Sequence, residues 1–367
     1  MNHDEKIMPK FIKGIKLCEM FFNEVVKKII ETNFPDLKYS AGLIGAGSEV
    51  LGFDTERSMD HDWGPRVMLF LEEKDFLKKD KILNILNKKL PTTFHGYSTN
   101  FSNPDENGVQ LLLELEKGES INHRVEIYTI KSFFYNYINI NIDNEFTIFD
   151  WLSFSEQKLR TIKSGAIYYD QIGLKNIQKK FEYYPNDIWL YLLASEWTKI
   201  GQEEPFVGRC GELEDELGSK IIATRLVQSM MKISFLMEKE YAPYSKWFGF
   251  AFSKLKCAKK LIPVFHKIIS SENWKDREKY LSKAYEIIIK LHNKLGITKP
   301  LLTNTSFFHD RPYLVIHGDI VAEEIKKQIK NQDIFSLKCI GSVNQITNTV
   351  DILENNFILD EIKVNKI

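Results

Sequence analysis

Between positions 9 and 33, apolar side chains recur at helical spacing (Phe11, Ile15, Leu17, Cys18, Phe21, Phe22, Val25, Val26, Ile29, Ile30), with lysines on the opposite side. This predicts a long amphipathic helix, which Pro35 would end. The short apolar piece YSAGLIGAG then reads as a strand running into a glycine-rich turn, and SEVLGF continues it. A second apolar run, Val67 to Leu71, predicts a strand with a carboxylate-rich entry, DHDWGPR. Residues 75–89 have the pattern of an amphipathic helix. Residues 109–116 and 123–130 read as strands joined by a hairpin-length KGESIN. The first 145 or so residues thus read as an α/β or α+β domain, and the fold class expected for the whole chain is α+β.

After about position 150 the period changes. DWLSFSEQKLRTIKSG, DIWLYLLASEWTKIGQ, a long LEDELGSKIIATRLVQSMMKISFLMEKEY, and two stretches near 255–270 and 275–296 all have helical spacing. The expected organisation is a domain at 1–148 with a mixed sheet and flanking helices, then a mostly helical domain at 149–367. A short extended piece lies near 312–319, and a helix follows it. No internal repeat and no low-complexity linker is visible.

Composition narrows the function classes. The 367 residues carry 50 Lys+Arg and 50 Asp+Glu, so the formal net charge is zero. Such a chain has no global electrostatic reason to track a long nucleic acid or bind an anionic membrane surface. With 43% hydrophobic and 27% charged residues it is of ordinary globular type, long enough for about two cores. The chain has no apolar run long enough to span a bilayer, and its charged start lacks a signal core. Cys18, Cys210, Cys257 and Cys339 are scattered without a Cys-x-x-Cys, a pattern expected of free thiols in a reducing cytoplasm.

Candidate chemistry concentrates at 43–71. Gly45, Gly47 and Ser48 form a small turn after an apolar strand. Their N–H groups would meet phosphates if a helix starts there. Asp60 and Asp62 are two residues apart; on a strand they would share a face about 7 Å apart and could bracket divalent cations. Chance alone gives roughly seven acid-x-acid pairs in a chain of this composition, so the pair gains weight only from its apolar strand and the preceding Gly47-Ser48. Competing phosphate motifs fail. There is no Walker A string, and Val50 stands where a dinucleotide fingerprint needs glycine.

Gly47-Ser48, an 11-residue spacer, and Asp60-His61-Asp62-Trp63 resemble the signature of the DNA polymerase beta-like nucleotidyltransferase superfamily. The longer strings GSEVLGFDTERSMDHDWGPR, WLYLLASEW, IGQEEPFVGRCGE, YAPYSKWFG, FHDRPYLVIH and GSVNQ resemble a bacterial subgroup, the DUF4037 nucleotidyltransferases, over nearly the whole chain. The resemblance implies an N-terminal polymerase beta-like mixed sheet and a helical substrate-binding domain. It also implies a third carboxylate on a neighbouring strand: Glu126 matches the family position, with Glu114 and Glu116 as rivals. Asp60, Asp62 and Glu126 would then hold two Mg²⁺ (or Mn²⁺) ions and assist in-line attack on the α-phosphorus of ATP or another nucleoside triphosphate.

The remaining expectations are phosphate contacts. Gly47, Ser48, Arg57 and Ser58 would supply them from the first domain. Tyr244, Ser245 and Lys246 would supply them from the second, because related enzymes use helical-domain Lys and Ser/Tyr groups on the β- and γ-phosphates. His309, Asp310 and Arg311 resemble part of an acceptor-side loop, and the acidic segment around Arg209 reads as a helix-joining loop with capping acids, with a place in an acceptor pocket as the alternative. The expected reaction is transfer of a nucleoside monophosphate, with AMP the leading case, to a hydroxyl of a small molecule. A tRNA or protein acceptor and a non-catalytic nucleotide-binding module are the alternatives.

Overall fold

The computed structural model describes residues 9–106, 108–115 and 120–354. The chain forms two compact units: Met1–Glu145 with Lys158–Glu182, and Phe146–Gln157 with Tyr183–Ile367. The expected division at 148 therefore omits a return crossing. The segment 158–182 belongs to the first unit because its strand completes that unit's sheet.

In the first unit the predicted opening helix is α1 (Gly14–Phe21), a single wide turn (Phe22–Val26) and α2 (Lys27–Asn33). A π-type turn inserted into an α-helix shifts its facing. Here it lets the consecutive Phe21 and Phe22, then Val26 and Ile30, all turn inward with no solvent exposure. The sheet comprises β1 (Tyr39–Leu43), β2 (Arg66–Leu71), β3 (Arg124–Thr129) and β4 (Ala166–Asp170) in the order β3-β2-β1-β4. β1 is antiparallel to both β2 and β4, while β2 and β3 are parallel.

Both β1 and β2 are buried at every position, as expected for strands covered on both faces. β3 alternates half-buried with buried, so one face of this edge strand stays accessible. Residues 109–116 were expected as a full strand, but only Leu112–Leu113 is one, and it pairs with Asn100–Phe101 outside the main sheet. Between β2 and β3 lies α3 (Lys79–Lys89), and α4 (Ile130–Ile138) leaves β3 through a reciprocal Thr129–Ser132 cap. α5 (Glu156–Ser164) leads into β4.

The second unit is mostly helical. Its centre is α6 (Asn186–Glu203), buried nearly all round. α7 (Phe206–Glu212), α8 (Glu216–Glu238), α9 (Ser245–Phe252), α10 (Ala258–Ser270) and α11 (Trp274–Leu295) follow, then a hairpin of β5 (Ser306–Phe308) and β6 (Arg311–Val315), and α12 (Gly318–Lys326). Gly201 lets α6 and α12 touch, since a Cβ there would stand 2.5 Å from the Asp319 nitrogen. Arg277 is wholly buried between α8 and α11. It donates to Glu216 (3.0 Å), Ser219 (2.7 Å) and the Ser271 carbonyl (3.0 Å), which satisfies a charge that would otherwise be costly. Among the described residues no helix is long and apolar enough to cross a membrane. All four cysteines are unpaired.

Candidate functional site

The loop from β1 to β2 is built around a buried ion pair. Arg66, the first residue of β2, donates through Nη2 to the Glu49 carboxylate and to the Ala46 carbonyl (2.8 Å). Burial alone would disfavour the guanidinium, but Glu49 outweighs it and the Arg66 pKa is raised. Gly47 sits against this pair with φ at +143°, where a Cβ would run into both Arg66 and Glu49. The glycine of the Gly-Ser motif is thus fixed by packing on an ion pair. No helix starts at Gly47-Ser48, so the condition for a helix-borne phosphate contact is not met: Ser48 to Gly52 is a turn, closed by Phe53 N–H on the Ser48 carbonyl (2.9 Å).

The two aspartates do not lie on a strand. Asp60 ends a 3₁₀ turn (Glu56–Asp60) and β2 begins four residues beyond Asp62. Asp62 takes a left-handed conformation (φ +51°), which aspartate tolerates better than most residues. The strand alternation that would put both carboxylates on one face therefore does not apply. Asp60 is mostly exposed and turns to His61 Nδ1 at 2.9 Å. Asp62 is tied inward: its N–H donates to the Gln110 carbonyl (2.8 Å), and its Oδ1 meets Arg124 Nη1 at 2.7 Å. In the same turn the Ser58 hydroxyl is engaged by the Thr55 N–H (3.0 Å) as part of a cap, and Arg57 is exposed.

Glu126 faces the same side of the sheet. The parallel register sets Arg66 opposite Arg124 and Met68 opposite Glu126, so Arg66, Arg124, Glu126 and Tyr128 share one face. Arg124 Nη2 stands 3.7 Å from Glu126, while Nη1 holds Asp62. The guanidinium lies over the Phe101 ring at 5.6 Å, and its side chain is only 13% exposed. Tyr128 donates to the other Glu126 oxygen at 2.9 Å; burial, then Glu126, pushes the phenol pKa up. The rival Glu114 is exposed beside the short outer hairpin, and Glu116 lies outside the described residues.

The chemistry of this cluster can be tested against a metal ion. The expected three-carboxylate, two-ion set is not assembled, and no group of three His, Cys, Asp or Glu side chains suited to a metal forms among the described residues. Asp62 and Glu126 do converge on a single cationic group from two elements. Two carboxylate oxygens with phosphate oxygens and water make a usual Mg²⁺ shell, so this pair fits one hard cation.

In the second unit, a cavity of about 150 Å³ is lined by Glu156, Gln157, Lys232, Tyr244, Ser245 and Asn344, among others. That volume accommodates a ring the size of benzene. Asn344 organises its wall. Its side chain accepts from the Glu156 N–H (2.9 Å) and donates to the Phe154 carbonyl (2.8 Å), while its own carbonyl takes Lys232 Nζ at 2.6 Å. Glu156 accepts the Ala242 N–H (2.7 Å), and Gln157 the Tyr244 N–H (3.2 Å). Burial lowers the Lys232 pKa, and Glu196 partly offsets this. α9 starts at this cavity with no side-chain cap from Tyr244.

Tyr244 and Ser245 therefore line a cavity, but Lys246 does not. It is exposed, with Nζ over the Trp247 ring at 5.2 Å. The lysine of this cavity is Lys232, which the sequence reading missed because it lies twelve residues upstream on another helix. Its sequence signal is a charge within a largely apolar helical stretch, SMMKISF.

Residues 151–248 match the family model described as a domain of unknown function, DUF4037, and this segment carries Gln157, Lys232, Tyr244 and Ser245. No curated protein matches the chain. Among solved structures, a crystal structure of a nucleotidyltransferase-like protein from Exiguobacterium sibiricum 255-15 is similar at 9% identity. The match covers 76% of this chain and 78% of that one with a TM-score of 0.32, too distant for residue roles to be transferred.

Proposed function

We propose that the protein is a Mg²⁺-dependent nucleotidyltransferase that moves a nucleoside monophosphate, AMP from ATP in the leading case, to a hydroxyl of a small acceptor and releases pyrophosphate. The observation that carries this reading is the convergence of Asp62 and Glu126, from two separate elements, on one cation position. Mg²⁺, when bound by this pair, would supply counter-charge to the triphosphate and polarise its phosphoryl oxygens. Tyr128 holds the second Glu126 oxygen, which fixes the carboxylate's rotation. The Arg66–Glu49 pair keeps the Gly47-Ser48 turn beside the strand.

In the second unit Lys232, with Tyr244 and Ser245 at the uncapped start of α9, supports a phosphate-binding role for the cavity. A half-buried ammonium beside the N-terminal end of a helix favours an anion there. The test is incubation with each α-³²P nucleoside triphosphate, Mg²⁺ and cell extract fractionated into metabolites, tRNA and protein. Label is expected in the metabolite fraction, lost in Asp62→Asn and Glu126→Gln. Label in tRNA or protein would reassign the acceptor, and equal transfer by both variants would remove the enzymatic reading.

A second reading, a nucleotide-binding module without turnover, draws on the orientation of Asp60 toward His61. It predicts ATP binding weakened by Lys232→Ala, with no label transferred to any fraction.

A further inference from the structure

We infer that Arg124 is a built-in counter-cation that holds Asp62 and Glu126 at one point and yields that point when a divalent cation binds. It is a positioning residue, acting through the two carboxylates. The inference rests on the transferase reading above and deepens it.

The two acids come from different elements, the loop before β2 and the strand β3. Without a cation beside them, the two like charges would repel each other in the metal-free chain. Arg124 prevents this with a single planar fork, Nη1 to Asp62 at 2.7 Å and Nη2 to Glu126 at 3.7 Å, supported from below by Phe101 at 5.6 Å. The two arms differ in kind. The first is a hydrogen-bonded ion pair; the second is a longer ionic contact, and Glu126 takes its short hydrogen bond from Tyr128 instead. Displacing the guanidinium breaks one hydrogen bond, at Asp62, and only an ionic contact at Glu126.

The consequence is opposite in sign to that of a merely structural arginine. Loss of a structural support would scatter the carboxylates and weaken cation binding. Loss of a competing cation strengthens it. The test is titration of the full chain with Mn²⁺, read by electron paramagnetic resonance, for wild type, Arg124→Met, Arg124→Lys, Asp62→Asn and Glu126→Gln, with circular dichroism to confirm folding. Arg124→Met is expected to bind Mn²⁺ about tenfold more tightly than wild type. Arg124→Lys, a point charge that cannot fork to both acids, should fall between them.

Unchanged or weaker binding in a folded Arg124→Met overturns the inference. If that variant does not fold, Arg124→Lys decides, tighter binding supporting the inference and equal binding overturning it. Asp62→Asn and Glu126→Gln are expected to weaken Mn²⁺ binding. If both bind as wild type does, the transferase reading loses its cation site and the inference falls with it. If both bind weakly while the Arg124 variants match wild type, only the role of Arg124 is lost.

Discussion

Arg66 and Arg124 stand opposite each other on neighbouring parallel strands, yet their surroundings give them different tasks. Arg66 lies on a strand buried along its whole length and is sealed against Glu49, whose side chain is 3% exposed. Arg124 lies on the edge strand, between two carboxylates that are each 38% exposed. The same residue type at the same register is thus sealed with one buried acid in one case and shared between two partly exposed carboxylates in the other. The position of a strand within its sheet makes the difference, since the edge leaves one face of β3 open.

The largest effect expected from this contrast is on stability. Removing one partner of a buried pair leaves an uncompensated charge, so Glu49→Ala should cost about 3–5 kcal/mol in urea unfolding. Arg124→Met should cost about 1 kcal/mol, because the carboxylates it leaves are partly solvated. Equal losses would mean that the two arginines are equally structural.

Gly47→Ala comes next. The residue would have to hold φ near +143° with its Cβ against the Arg66–Glu49 pair, at a cost of about 2–3 kcal/mol. The same change at Gly52, where φ is +71° and nothing lies within 4 Å of an added Cβ, carries only the backbone penalty. If Gly47→Ala unfolds no earlier than Gly52→Ala, packing on the ion pair is not what selects glycine in the motif.

The residue just before β3 is probed by pH. His123 alternates with Arg124, and burial pushes its pKa down to about 4 from 6.5. The unfolded chain then takes up a proton below 6.5 that the native chain refuses until about 4. His123 therefore costs stability progressively as pH falls through that window and contributes no slope above it. Replacing His123 with Leu should flatten urea midpoints between pH 6.5 and 4, an effect of up to about 3 kcal/mol.

Much of the fold was legible in the residues because it rests on periodicity. The helical spacing of 9–33, the apolar β2 and the long helices of the second unit all follow from burial patterns. β4 was missed because AIYYD is half-buried at every position and shows no alternation, so only its pairing with β1 reveals it. The motif positions were legible as well, but their geometry was not. Spacing on an ideal strand set Asp60 beside Asp62, whereas a 3₁₀ turn and a left-handed residue separate their directions. The choice of lysine failed for a related reason. Lys232 and Tyr244 meet through a cavity wall organised by Asn344, a contact between segments that no local pattern encodes.

The smallest expected effect separates the two aspartates themselves. Asp62 accepts a charge-assisted hydrogen bond from Arg124 and lies against the Gln110 backbone, so Asp62→Asn should destabilise by about 1 kcal/mol. Among the described residues Asp60 pairs with its neighbour His61 alone, and it is 60% exposed, so Asp60→Asn should stay within about 0.5 kcal/mol of wild type. The functional ranking should follow the structural one. Mn²⁺ affinity should fall at least tenfold for Asp62→Asn and about threefold or less for Asp60→Asn, whose loss is confined to long-range attraction screened by solvent. Equal losses of affinity would show that the 3₁₀ turn re-forms around a bound cation and brings Asp60 onto it. In that case the separation between the two aspartates belongs to the resting chain alone.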